Sequence, residues 1–199
     1  MDETDETDPQ IVGRVLSGET DAFKLLVNRH QRLLYDLSFR LTGNTTEAED
    51  ITQTAFVKMF SGLSSYKREL AFKNWAYTIT LNIARNRLKR KALLRFLPLG
   101  IFSPKNGEDE VRVQEPVEAG SSPDARLDTK DMRSSLESAI AALPEELKTS
   151  FILYHLHKNP VKDISETLGI SPNAVNIRIY KARERLAKKL TPEYPEYFR

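Results

Sequence analysis

The stretch Ile164-Ser165-Glu166-Thr167-Leu168-Gly169-Ile170-Ser171-Pro172-Asn173-Ala174-Val175-Asn176-Ile177-Arg178-Ile179 decides how this chain reads. Asn159-Pro160 opens a short helix whose inward positions are Val161, Ile164 and Leu168, at helical spacing. Gly169 supplies a left-handed turn, Ile170 plugs the corner and Ser171 caps a new helix. Pro172 takes the first helical position, where a missing N–H is harmless. Val175, Ile179, Ala182 and Leu186 then share one face. Short helix, glycine turn and capped second helix make a helix-turn-helix, whose second helix enters the DNA major groove. Its early outward residues are Asn173, Asn176, Ile177 and Arg178, followed by Tyr180, Lys181, Arg185 and Lys188. Asparagine pairs with adenine, an aliphatic side chain can touch a thymine methyl, and the later cations suit phosphates. The start of that helix, at Ser171, also offers backbone N–H groups to a phosphate.

Upstream, Leu136, Ile140 and Leu143 form one helix. Pro144 begins the next, which carries Leu147, Phe151, Ile152 and Leu156. A second small domain therefore spans residues 131–199. Residues 97–130 read as a flexible linker, with Pro98, Pro104, Pro116, Pro123, Asn106-Gly107 and Gly120-Ser121-Ser122. An apolar cluster (Leu93, Leu94, Phe96, Leu97, Leu99, Ile101, Phe102) at its start is expected to pack on the first domain, with a docking strip for another protein as the alternative.

The first half, residues 1–96, is also helical throughout, after an acidic tail over residues 1–8. A helix from Pro9 to Ser17 stops at Gly18. Thr20 is positioned to cap a longer one striped by Phe23, Leu26, Val27, His30, Leu34, Leu37 and Leu41 and closed by Gly43. Thr46-x-x-Glu49 has the capping-box pattern and starts a third helix, with Ile51, Ala55 and Met59 inward. A fourth carries Phe72, Trp75, Ile79 and Ile83 on one face and runs into Lys89-Arg90-Lys91. The fold class is all-α: two small helical domains joined by a linker.

Composition narrows the function. The 199 residues hold 30 Lys/Arg and 28 Asp/Glu, a net charge of +2 that conceals segregation. Residues 67–95 carry nine cations against Glu69, and residues 172–189 carry six against Glu184. Two basic blocks separated by an acidic segment suit a chain that meets a polyanion twice, although solvated helix faces give the same count. With no Cys, disulfides, thiolate metal sites and cysteine nucleophiles are excluded. No apolar run is long enough to cross a bilayer and the N-terminus is no signal peptide, so a cytoplasmic protein without direct membrane insertion is expected.

The ordered motifs resemble a bacterial ECF (extracytoplasmic function) sigma factor. Asp50-Ile51-Thr52-Gln53-Thr54-Ala55-Phe56 resembles region 2.2 of that family. Phe72-Lys73-Asn74-Trp75, with Ile79 and Asn82, resembles regions 2.3 and 2.4. Leu143-Pro144-Glu145-Glu146 and the helix-turn-helix resemble region 4. The resemblance implies association with core RNA polymerase, recognition of promoter minus-ten and minus-thirty-five elements, and help in melting DNA. It implies a polymerase contact at Asp50, Gln53, Thr54 and Val57. It places the minus-ten strand against Tyr66, Lys67, Arg68, Lys73, Asn74, Tyr77, Asn82 and Arg85, where an aromatic and cations beside a Trp-bearing helix suit unstacked bases. It places minus-thirty-five duplex against Ser171, Asn173, Asn176, Ile177, Arg178, Lys181 and Arg185. An anti-sigma factor is the further implied partner. Leu81, Asn86 and Asn176-Ile177 depart from the common family pattern, so no promoter sequence is borrowed from relatives.

An enzyme is not expected, nor a metal or cofactor. His155 and His157 are two apart and point to different sides of a helix, and His30 lies on an apolar stripe. No phosphate-binding glycine loop or hydrolase elbow occurs. The competing function is a free-standing helix-turn-helix regulator that needs no polymerase docking.

Overall fold

The computed structural model describes residues 6–67, 69–96 and 123–195, with the side chains of 94–96 and 123–130 left aside. All regular structure among them is helical. The chain divides into two units, each with its own core.

The first unit contains α1 (Asp8–Leu16), α2 (Phe23–Thr42), α3 (Thr45–Ser61) and α4 (Phe72–Phe96). Helices α2, α3 and α4 pack mutually, with α1 laid against α2. The α2 stripe is buried as expected, His30 included, except for Val27, which is half-buried, and Gly43 closes the helix at φ 67°. His30 is structural. Its Nε2 lies 2.9 Å from Asp8 Oδ2, and Arg29 donates to Asp8 Oδ1 at 2.6 Å, so the pair fastens α1 to α2.

Two expected caps are corrected. Thr20 lies in a 3-10 turn (Thr20–Ala22) ahead of α2 and makes no side-chain cap bond. Helix α3 starts from Asn44, whose Oδ1 accepts from Glu47 N at 2.8 Å; Thr46 is already inside the helix. Asparagine is among the strongest N-caps, and it stands directly after the Gly43 stop, leaving no residue for Thr46 to govern.

The face of α4 is corrected as well. Phe72, Ala76, Tyr77, Thr80, Leu81 and Ala84 are buried, whereas Trp75, Ile79 and Ile83 are only half-buried. A helix touching both α2 and α3 is apolar over more than one stripe, so periodicity alone does not choose between them.

The second unit contains α5 (Pro123–Ala141), α6 (Glu145–Phe151), α7 (Val161–Leu168) and α8 (Pro172–Leu190). Helix α5 begins at Pro123, inside the segment expected to be linker, because the first position of a helix tolerates proline. The rest of that segment, residues 97–122, lies outside the described residues. So do Leu97, Leu99, Ile101 and Phe102 of the apolar cluster; Leu93, the one member whose side chain is described, is exposed rather than packed. Pro144 is the N-cap of α6, and the chain beyond Phe151 widens into a π-turn, Ile152–Leu156. Helices α5 and α6 both pack on α8 through Ala139, Ile140, Leu147, Val175, Ile179, Ala182 and Leu186.

Candidate nucleic-acid interface

The helix-turn-helix forms from the residues read for it. Gly169 sits at φ +64°, and a Cβ there would strain the backbone although nothing crowds it. Ser171 Oγ accepts from Ala174 N at 3.2 Å, with Pro172 behind it at the first helical position. That geometry presents Asn173, Asn176, Ile177, Tyr180, Lys181 and Arg185 to solvent. Ser171 is exposed as well, and a hydroxyl that accepts within its own cap can still donate outward. Arg178 is the exception. It is half-buried, and its guanidinium donates to Glu146 Oε2 at 2.9 Å, so it is occupied by α6 rather than offered freely to a base.

In the first unit the set expected to bind the strand divides. Tyr66 is buried: its ring lies 5.4 Å from Phe72 and 5.3 Å from Trp75, and its hydroxyl donates to Leu70 O at 2.6 Å. It anchors the loop and offers no open stacking face, because burying an aromatic stabilises a short loop more than exposing it does. Tyr77 is fully buried, and Asn74 nearly so, with no partner for its Oδ1 among the described residues. Neither reaches solvent as a strand contact would require. Lys67 is exposed, Lys73 and Arg85 are half-buried, and Arg68 lies outside the described residues. Asn82 is exposed and borders a cavity of about 510 Å³ shared with Lys58, Ser65, Trp75, Ile79 and Asn86. Lys58, Trp75 and Asn86 escaped the sequence reading as site residues. The signal was present, because 75, 79, 82 and 86 follow helical spacing along one face.

The set expected to face polymerase also divides. Gln53 and Val57 line a groove of about 610 Å³ between α2 and α3, with Val27, Gln31, Arg32 and Tyr35 opposite. Val57 is 61% exposed, an apolar side chain left in water. Thr54 is exposed beside it. Asp50 points elsewhere and accepts from Arg87 at 3.1 Å, while Lys91 meets Glu47 at 2.7 Å; together these pairs tie α4 to the start of α3. No cluster of metal-ligating side chains occurs among the described residues. No described helix is long and apolar enough to cross a membrane.

Comparison with known proteins agrees with this division. The model of sigma-70 region 2 matches residues 26–93, and that of sigma-70 region 4 matches residues 133–186. The RNA polymerase sigma-H factor of Pseudomonas aeruginosa is 30% identical over 95% of this chain and 96% of its own length. The ECF RNA polymerase sigma factor SigW of Bacillus subtilis is 27% identical over 90% and 94%. Among solved structures, CnrH in complex with the cytosolic domain of CnrY superposes with a TM-score of 0.66 at 22% identity, covering 94% of this chain and 99% of that one. The sigma factor RpoE of Bartonella quintana, in complex with the anti-sigma factor NepR, gives 0.67 at 20% identity over 85% and 96%. These superpositions speak to the fold. The chain belongs to the RNA polymerase sigma factors of the ECF class.

Proposed function

We propose that this chain is a promoter-specificity subunit. It docks on core RNA polymerase through its first unit, holds the opened minus-ten strand there, and reads minus-thirty-five duplex with α8. The observation that carries the reading is the near end-to-end match to a sigma factor at 30% identity, since a free-standing regulator would share only the helix-turn-helix. Polymerase supplies the bond-making step and this chain the address, so its residues bind and orient without catalysing.

Each surface has a physical task. The α2–α3 groove, with Val57 and Gln53 on one wall, offers apolar area and amide hydrogen bonds to a protein. The cavity beside Trp75 combines an indole face with the amides of Asn82 and Asn86 and the ammonium of Lys58, the groups that suit one unstacked base and its phosphate. On α8, Asn173, Asn176 and Ile177 face base edges while Lys181, Arg185 and Lys188 neutralise phosphates. An anti-sigma factor covering these surfaces is the matching form of control, and the cytoplasm, where polymerase works, is the matching compartment. The test is transcription in vitro with purified core polymerase on a fragment library, with start sites mapped. New start sites that depend on this chain are expected; start sites identical with and without it overturn the reading.

A further inference from the structure

The face of α8 opposite its buried stripe carries Asn173, Ile177, Tyr180 and Glu184, spaced three and four apart so that they form one outer ridge. A cation joins this ridge only at its far end, where Lys188 follows Glu184 by four residues. Arg178 is turned to Glu146, and Lys181 and Arg185 flank the ridge on one side. The side chains that pair with the two major-groove acceptors of guanine are therefore absent from the early part of this line, the part of a reading helix that meets base edges. In their place stand Ile177, 45% exposed, and Tyr180, 69% exposed. The two lie one turn apart and so adjoin on the helix surface. An adjoining aliphatic and aromatic pair left in water on a polar helix has no packing role within its own unit. The apolar feature that a base pair presents in the major groove is the thymine methyl.

We propose that Tyr180 and Ile177 together form a specificity element that recognises a thymine methyl, with Asn173 or Asn176 on a neighbouring adenine, so that the centre of the duplex element is an A·T step. This rests on the DNA-reading role of α8 proposed above and adds what α8 reads. Tyr180 is the added determinant: its ring supplies most of the apolar area, and its hydroxyl, at the ridge edge, faces the water-filled groove.

Deoxyuridine tests this without touching the protein, because it removes the methyl and leaves every hydrogen-bonding group of thymine in place. Duplexes are first selected from a randomised library by the full chain bound to core polymerase. Each thymine of the recovered upstream element is then replaced in turn by deoxyuridine, and affinities are measured. At one or two positions the wild-type protein should lose about fourfold, the size expected for one methyl withheld from an apolar contact. Ile177→Ala combined with Tyr180→Ala should bind the thymine and deoxyuridine duplexes equally. Wild-type indifference to deoxyuridine at every position overturns the proposal, as does a deoxyuridine penalty that survives the double substitution. Lys188→Ala separates this from failure of the parent reading. If it weakens all duplexes while the methyl has no effect, α8 lies on DNA and only the methyl contact is wrong; if neither matters, the DNA-reading role falls too.

Discussion

Arg178 and Tyr66 show how a residue's partner, rather than its type, decides what it can do. A cation on a reading helix reads from sequence as a DNA contact, yet Arg178 is held by Glu146, 32 positions earlier on α6, and no local spacing announces that pair. The pair is partly exposed and adds little stability in itself. Its consequence is for binding: Glu146→Gln should leave the melting temperature nearly unchanged, release the guanidinium to phosphate, and steepen the salt dependence of duplex affinity by about one unit. An unchanged slope would mean that Arg178 stays away from DNA when released. Tyr66 misleads in the opposite direction, being aromatic, in a basic loop, and buried. Tyr66→Phe removes the bond to Leu70 O and should destabilise the chain by about 0.5–1.5 kcal/mol. Strand opening, followed by permanganate reactivity, should survive that change; its loss at unchanged stability would return the hydroxyl to a DNA-contacting role.

At the scale of elements, what was legible was whatever is encoded within one turn of chain. The α7–α8 corner was legible because a left-handed glycine, a serine cap and a first-turn proline are each local requirements. Gly169→Ala, forced to φ +64°, should cost about 1–2 kcal/mol, and Ser171→Ala about 1 kcal/mol, both measurable by denaturant melts followed by circular dichroism. The inner face of α4 and the π-turn after α6 were not legible, because each is set by neighbours distant in sequence. The π-turn carries His155, whose ring lies 4.6 Å from that of Phe151 and tilted 38° to it. Burial, then the positive charges of Arg183 and Lys158, hold its imidazole below the ordinary value. The folded chain thus binds this proton less readily than the unfolded chain, so stability rises with pH through the window just below about 6.5 and falls on acidification. His155→Gln should shrink the difference between melting temperatures at pH 7.5 and 5.5; an undiminished difference would assign the acid sensitivity elsewhere. Asp8 works with the opposite reference. Burial pushes its carboxyl up, but the bonds from His30 and Arg29 outweigh that and hold it below the carboxylate range, so its clasp on α1 is lost only as pH falls through the acid region.

For the molecule as a whole, the net charge of +2 is a poor guide and its distribution a good one. The presence of two helical units, and the basic character of the segments in each, followed from where cations and apolar residues fall along the chain. Gln53 and Val57 were named from the family resemblance, and Trp75 and Asn86 share a helical face with Asn82, but the groove and the cavity those side chains line were not legible, since they form only when α3 meets α2 and α4. With so small a net charge, attraction to DNA has to come from particular faces, and the salt dependence of binding counts the cations that take part. In the proposed reading of α8, Lys181 on the flank of the ridge and Lys188 at its far end reach the backbone of the duplex with long side chains, whereas Asn176 is uncharged and reaches only a base edge. Lys181→Ala with Lys188→Ala should therefore lower the slope of log affinity against log salt by about two units and weaken every duplex alike. Asn176→Ala should leave the slope where it is and lose about 1–3 kcal/mol of discrimination at one base pair. Binding isotherms at several salt concentrations, on matched and singly substituted duplexes, separate the two effects. A lysine pair that altered sequence preference without altering the slope would place those ammonium groups on bases, and the ridge of α8 would then have to be rotated toward them in the groove.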